Sequence, residues 1–187
     1  MTVSKHLFSY LKNISLDKAY NETSFQFDLG LYLQKNGFKV EFEVNIASLS
    51  IYDPKIRYFK HEIDLVVFIE DQIDSIIELK APMMKRHYLK PKESKQGFTA
   101  SIKAWEKDIK FLDQVKSKKI NAFSIFLTDD PSYYVSKRVT KSNLNSFRQA
   151  ELINVTNNDN GRVINCKPDW AYKDNDSKEY DFFIIEL

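Results

Sequence analysis

Asp64, Glu78 and Lys80 occur in two neighbouring segments whose residue patterns predict that two carboxylates and one ammonium meet on a β-hairpin. Residues 58–69 and 73–81 are rich in β-branched and aromatic side chains, which favours a strand in each segment. Side chains alternate between the two faces of a strand, so the three charged residues lie on faces whose opposite sides are apolar. Such a set could hold a divalent cation next to a fixed positive charge.

The register of the hairpin decides whether the two carboxylates meet. If Ile69 faces Ile73 across a three-residue loop, Asp64 lies opposite Glu78, with Cβ atoms roughly 5 Å apart. Directly opposed carboxylates repel each other, and a bound cation would remove the repulsion. Oxygen ligands of this kind suit Mg²⁺ or Mn²⁺. The alternative is a solvated sheet face without a chemical role, and a one-residue slip of the register would separate the carboxylates.

Asp64, thirteen intervening residues and then Glu78-Leu79-Lys80 resemble the signature of the PD-(D/E)XK nucleases, the restriction-endonuclease-like superfamily. Ile63 stands where the name-giving proline would be, a position that contributes no ligand. The resemblance implies that Asp64, Glu78 and the Leu79 backbone carbonyl hold Mg²⁺, for which Mn²⁺ can substitute. It also implies that Lys80 holds the attacking water and stabilises the developing negative charge.

A further acid, Glu22, lies near the start of a predicted helix. We expect Ser15 or Asp17 to cap this helix and Gly37 to end it. Glu22 begins a stripe at helical spacing that continues with Phe25, Gln26, Leu29 and Leu33. An acid there either stays exposed at the wet edge or finds a partner. The segment 21–38 resembles the opening helix of the superfamily, which implies that Glu22 completes the metal site or binds a second metal ion.

The order of the predicted elements places these residues in an α/β fold. Residues 38–46 alternate apolar and polar side chains as a strand does, and residues 121–128 read as a buried strand. Residues 99–118 predict an amphipathic helix whose apolar stripe is Ile102, Trp105, Ile109, Leu112 and Val115. A strand–helix–strand connection of this length makes the last strand parallel to its neighbour. The resulting αβββαβ order resembles the restriction-endonuclease-like core, a mixed central sheet flanked by helices.

The 187-residue chain is expected to form a single nuclease domain, with a core at about 17–128 and a variable C-terminal extension at 129–187. In the extension, residues 133–151 could form one helix. Strands are expected at 152–156 and 162–166, and a closing strand at 180–187.

The connection after the hairpin is strongly basic. Residues 85–119 contain eleven Lys or Arg against four Asp or Glu, whereas the whole chain has a net charge of only +2. Such segregation is typical of proteins that bind a phosphate backbone, although a solvated helix and loop is the alternative. The residues expected to contact nucleic acid are Lys85, Arg86, Lys90, Lys92, Lys95, Lys103 and Lys107.

Composition restricts the remaining possibilities. Four glycines cannot form a Gly-rich phosphate loop, and three scattered histidines with the single Cys166 argue against a zinc site. One cysteine fits a reducing compartment. No segment resembles a signal peptide or a membrane span, which together with the cysteine count predicts a cytoplasmic protein without a membrane partner.

Three functions remain open at this point. The favoured one is a metal-dependent DNA endonuclease of restriction, repair or mobile-element type, for which DNA is the preferred partner over RNA. The second is an RNA-cleaving or toxin nuclease of the same fold, and the third is a non-catalytic nucleic-acid-binding module. The retention of Asp64, Glu78 and Lys80 together argues against the third. A homodimer would be needed to cut both strands at a symmetric target.

Overall fold

The computed structural model describes residues 2–14, 21–51, 60–81, 97–116, 120–128, 153–156, 161–167, 169–172 and 181–187. The helices in these ranges are α1 (Val3–Asn13), α2 (Glu22–Lys35) and α3 (Gly97–Lys116). The strands are β1 (Lys39–Asn45), β2 (Glu62–Ile69), β3 (Gln72–Lys80), β4 (Asn121–Thr128), β5 (Ile153–Thr156), β6 (Val163–Cys166), β7 (Asp169–Tyr172) and β8 (Asp181–Glu186). None of the helices in these ranges is long and apolar enough to span a membrane.

Six strands form one mixed sheet in the order β1-β2-β3-β4-β8-β7, while β5 and β6 form a separate antiparallel pair. β3 and β4 are parallel, as the crossover through α3 predicts, and the other neighbours are antiparallel. The α/β class and the strand predictions at 121–128, 152–156, 162–166 and 180–187 are therefore confirmed to within two residues at each end. β7 was not predicted; it extends the sheet by pairing with β8.

Helices cover both faces of the sheet. α1 and α2 pack on one face against Leu65, Val67, Ile77 and Leu79. α3 packs on the other face, where its buried side chains meet Val66, Ile76 and Ala122. The predicted apolar stripes of α2 and α3 are both buried. Ile63 is an exception to the predicted alternation, because it packs in the α3 cluster while Leu65 packs with α1 and α2.

The turn between β2 and β3 differs from the prediction. Glu70 and Asp71 alone form it, with φ angles of 50° and 62°, so Ile69 pairs with Gln72 rather than with Ile73. Left-handed backbone at both positions is typical of the two-residue turns that match the twist of a hairpin. A register shift next to Phe68 absorbs the difference, and Leu65 then pairs with Ile77 as the predicted register requires. The error in the loop therefore does not reach the end of the hairpin that carries the charged residues.

Candidate functional site

Glu22 lies at the first residue of α2, later than the predicted start of that helix. The cap of α2 is Asn21, whose Oδ1 accepts a hydrogen bond from Ser24 N at 2.8 Å, while the predicted caps Ser15 and Asp17 lie outside the described residues. An acid in the first turn suits the positive end of the helix dipole. The Glu22 side chain is 43% exposed, yet its Oε2 accepts a hydrogen bond from Ala81 N at 3.0 Å. Glu22 therefore reaches the end of β3 while keeping contact with solvent.

Asp64 interrupts the regular pairing of β2. The β1–β2 register does not include a pair between Glu43 and Asp64, and Glu43 has a φ of 50°, which is rare for a residue other than glycine. The Asp64 carbonyl instead accepts a hydrogen bond from Gln26 Nε2 of α2 at 2.7 Å. On the other side, Asp64 Oδ2 accepts a hydrogen bond from Leu79 N at 2.7 Å. The Gln26 side chain thus holds the Asp64 backbone, and the backbone of β3 holds the Asp64 carboxylate. These bonds replace the regular strand pairing at this position.

Glu78 is almost fully buried and interacts directly with the Asp64 carboxyl group, as the predicted hairpin register requires. Burial raises the pKa of Glu78 well above its usual value, and the neighbouring Asp64 and Asp108 raise it further. Burial also raises the pKa of Asp64, although the Leu79 N–H and the Lys80 ammonium oppose this effect. The two carboxyl groups converge at a place where ionising both is unfavourable without a cation.

The imidazole of His61 is a neighbour of Glu78 that the sequence did not reveal as functional. His61 Nε2 lies 2.7 Å from Glu78 Oε1, and its ring lies 4.0 Å, centre to centre, from the ring of Phe111 on α3. Burial, followed by the charges of Lys107 and Lys80, lowers the pKa of His61 to about 4. His61 is therefore neutral at physiological pH. One indication of its role was present in the sequence, because His61 interrupts an otherwise apolar set of alternate residues.

Lys80 is the ammonium group at the centre of the site. Its Nζ donates a hydrogen bond to Leu79 O at 2.7 Å and lies 3.1 Å from Asp108 Oδ2 and 3.6 Å from Glu22 Oε1. Burial by itself would lower the pKa of Lys80, but the carboxylates of Asp108, Glu22 and Asp64 together raise it above its usual value. The Leu79 carbonyl, expected as a metal ligand, therefore accepts a hydrogen bond from Lys80 in this structure.

Asp108 on α3 is the second site residue that sequence reasoning missed. It is 5% exposed, and burial raises its pKa to about 6 even though Lys80 acts in the opposite direction. Its Oδ2 is buried and forms an ion pair with Lys80 Nζ at 3.1 Å. The sequence contained one indication of this role, because Asp108 is an acid that lies between Trp105 and Ile109 in the apolar stripe of the helix.

Together these residues carry an excess of negative charge. In the part of the chain that the structure describes, four carboxyl groups, those of Glu22, Asp64, Glu78 and Asp108, lie around the ammonium of Lys80. Burial is the main cause of the raised pKa values of Asp64, Glu78 and Asp108, and the neighbouring carboxylates raise them further. Either protons or a bound cation can relieve it. The donor set therefore fits a metal ion. The sequence had led us to expect Asp64, Glu78 and Glu22 as metal ligands.

Only part of the predicted nucleic-acid surface is described by the structure. Lys103 and Lys107 are exposed on α3, and Lys107 lies close enough to the site to influence His61. The other five predicted contacts, Lys85, Arg86, Lys90, Lys92 and Lys95, lie outside the described residues, as does the helix predicted at 133–151. A cleft of about 370 Å³ borders the site at the start of α2, lined by Asn21, Glu22, Thr23, Ser24 and Phe27.

Comparison with known proteins does not identify a relative of this chain. The chain matches no protein-family model, no curated protein and no solved structure. Function must therefore be argued from the geometry of the site.

Proposed function

We propose that this protein is a metal-dependent nuclease of the restriction-endonuclease-like superfamily that hydrolyses phosphodiester bonds, with DNA as its substrate. The observation that carries the proposal is the convergence of Asp64, Glu78 and Lys80 at one end of a hairpin, joined by Glu22 from a separate helix. The αβββαβ order of the described elements from Glu22 to Thr128 supports the same assignment. Fold resemblance alone would not carry a function, but a set of residues in suitable geometry can.

The proposed cofactor is Mg²⁺, with Mn²⁺ as a substitute. Asp64, Glu78 and Glu22 would hold it, since their carboxylate oxygens are the hard donors that Mg²⁺ prefers. The Leu79 carbonyl would join them once the Lys80 ammonium gives up its hydrogen bond. When bound, the ion would stabilise charge on the phosphate oxygens and lower the pKa of a coordinated water.

Lys80 would act as a fixed donor of positive charge. Its raised pKa keeps it protonated at neutral pH, so it is unsuited to accept a proton from water and cannot serve as the general base. A protonated amine held by three carboxylates is instead suited to orient the attacking water and to stabilise negative charge that develops during the reaction. Asp108 positions this amine from the opposite helix.

Substrate binding would use the exposed side of α3 and the predicted basic connection. Lys103 and Lys107 would contact backbone phosphates next to the site, in a manner that weakens with increasing salt. Cutting both strands of a symmetric target would require a homodimer.

The test is incubation of the purified protein with plasmid, linear DNA and RNA in Mg²⁺, Mn²⁺ or EDTA. We expect cleavage of DNA that requires a metal ion and is lost in Glu78→Gln, while Asp71→Asn, a substitution in the exposed β2–β3 turn, cleaves like the wild type. Cleavage of RNA alone would assign the RNA-cleaving alternative. Salt-sensitive binding without cleavage of any substrate would overturn the nuclease proposal in favour of a binding module.

A further inference from the structure

We propose that His61, Glu78 and Asp108 form a binding site for a first-row transition dication, with one imidazole nitrogen and two carboxylate oxygens as ligands. One ligand atom from each residue lies within 4.8 Å of the other two. The three residues come from the segment before β2, from β3 and from α3, so separate elements converge on one point. His61 and Asp108 lie outside the nuclease signature, and the proposal concerns binding, so it holds whether or not the protein cleaves nucleic acid.

The distances are close to those that a metal ion requires. A tetrahedral ion with bonds of about 2.0–2.1 Å keeps neighbouring ligand atoms about 3.3 Å apart. His61 Nε2 and Glu78 Oε1, now 2.7 Å apart and joined by one proton, would need to separate by about 0.6 Å as the ion replaces that proton. The remaining separations would need to shrink by at most about 1.5 Å, within the reach of side-chain rotation.

Burial distinguishes this cluster from an ordinary acidic surface. Glu78 is 2% exposed and Asp108 is 5% exposed. Within the described ranges, no polar group besides the Lys80 ammonium at 3.1 Å is recorded as a partner of Asp108 Oδ2, although this atom is shielded from solvent. Burying such an atom is unfavourable unless a partner compensates. Among the described residues, the Lys80 ammonium offsets one of the four negative charges present when all four carboxyl groups are ionised, and Lys107 acts on the site from α3. A dication would offset two more negative charges.

The imidazole decides the class of metal. Mg²⁺ and Ca²⁺ prefer oxygen ligands, whereas imidazole nitrogen suits transition ions such as Zn²⁺, Co²⁺ and Mn²⁺. Phe111 packs against the His61 ring and limits its rotation, which keeps Nε2 directed at Glu78. The site should therefore select a transition ion over Mg²⁺. The sequence argued against a zinc site because its histidines are scattered, but a mixed site needs only one of them.

Co²⁺ is the probe, because its visible absorption reports ligand type and coordination number. Titration of metal-free protein at pH 7.5 should show one bound Co²⁺ that an equal concentration of Mg²⁺ does not displace. His61→Gln and Asp108→Asn should each weaken Co²⁺ binding at least about tenfold, while Asp71→Asn, which removes an exposed carboxylate, should bind as the wild type does. Urea unfolding in EDTA identifies any variant that fails to fold.

The wild type provides a readout that does not depend on variants. Co²⁺ bound to His61 should shift the imidazole proton resonances far outside the normal range in the NMR spectrum. Absence of such resonances in the Co²⁺-loaded protein, displacement by equimolar Mg²⁺, or unchanged affinity in His61→Gln would each overturn the proposal. Any of these results would leave the nuclease proposal intact, since Asp64 and Glu78 could still hold Mg²⁺. Conversely, His61-dependent Co²⁺ binding without nuclease activity would overturn only the proposed function.

Discussion

Replacing Asp108 by Asn should stabilise the fold at alkaline pH relative to acid pH. Burial raises the pKa of Asp108 from 3.8 to about 6, and Lys80 at 3.1 Å only partly opposes this effect. The folded protein therefore binds this proton more tightly than the unfolded chain does. Stability increases as the pH falls from about 6 towards 3.8, and above pH 6 the ionised carboxylate destabilises the fold. Asparagine keeps the shape of the side chain and removes the charge.

The magnitude follows from the two pKa values. The interval between 3.8 and about 6 corresponds to about 3 kcal/mol at roughly 1.36 kcal/mol per pH unit. About 2 kcal/mol of this falls between about pH 4 and about pH 8, since the unfolded carboxyl group is already partly ionised at about pH 4. The unfolding free energy of Asp108→Asn minus that of the wild type should thus be about 2 kcal/mol more positive at about pH 8 than at about pH 4. Effects of the substitution that do not depend on pH cancel in this comparison.

The assay is urea unfolding followed by circular dichroism at both pH values, in EDTA and at constant ionic strength. Asp71→Asn is the matched control: the Asp71 side chain is 89% exposed, so solvent screens its charge and the substitution should have the same effect at both pH values. The reasoning would be refuted if the difference between Asp108→Asn and the wild type changed by less than about 1 kcal/mol between the two pH values.

Two further predictions concern the residues around the carboxylates. Gln26→Leu removes the donor to the Asp64 carbonyl and should lower the unfolding free energy by about 1–3 kcal/mol. Gln34→Leu is the control: it removes a longer hydrogen bond from an exposed side chain and should change the unfolding free energy by under about 0.5 kcal/mol in the same urea assay. Because burial and the nearby ammonium groups lower the pKa of His61 from 6.5 to about 4, protonation of the unfolded chain should reduce stability as the pH falls between these values. His61→Gln should remove that acid-side loss, and an unchanged profile of unfolding free energy against pH would contradict the assignment.

The main elements of the fold were predictable because local patterns decide them. Alternation in residues 38–42 and the helical stripe of α3 each determine which face is buried, and the strand–helix–strand connection then makes β4 parallel to β3. Beyond Glu43 the alternation fails, because Val44 and Ile46 pack on the α3 side of the sheet. The turn was not predictable in detail. Glu70 and Asp71 adopt left-handed backbone without glycine, and the compensating register shift beside Phe68 depends on packing in the finished sheet.

The site was predictable for Asp64, Glu78 and Lys80, which share a hairpin, and for Glu22 through the resemblance of its helix to the opening helix of the superfamily. Asp64, Glu78 and Lys80 have a short-range spacing that the strand period converts into proximity. His61 and Asp108 join them through packing of α3 on the sheet, which no local pattern reports. Both residues nevertheless stand out in the sequence as polar residues on apolar faces, and a polar residue needs a partner when it is buried.

The most direct test of the nuclease proposal is the single-turnover cleavage rate of an end-labelled DNA duplex by Lys80→Met, measured with excess protein in Mg²⁺. Methionine retains the length of the side chain but not its charge. We expect the rate to fall by about 10²- to 10³-fold, as for loss of one charge-stabilising donor, while the fraction of DNA bound changes little. Lys39→Met, which removes an exposed lysine on β1, should cleave at the wild-type rate. Cleavage by Lys80→Met at the wild-type rate would contradict the account.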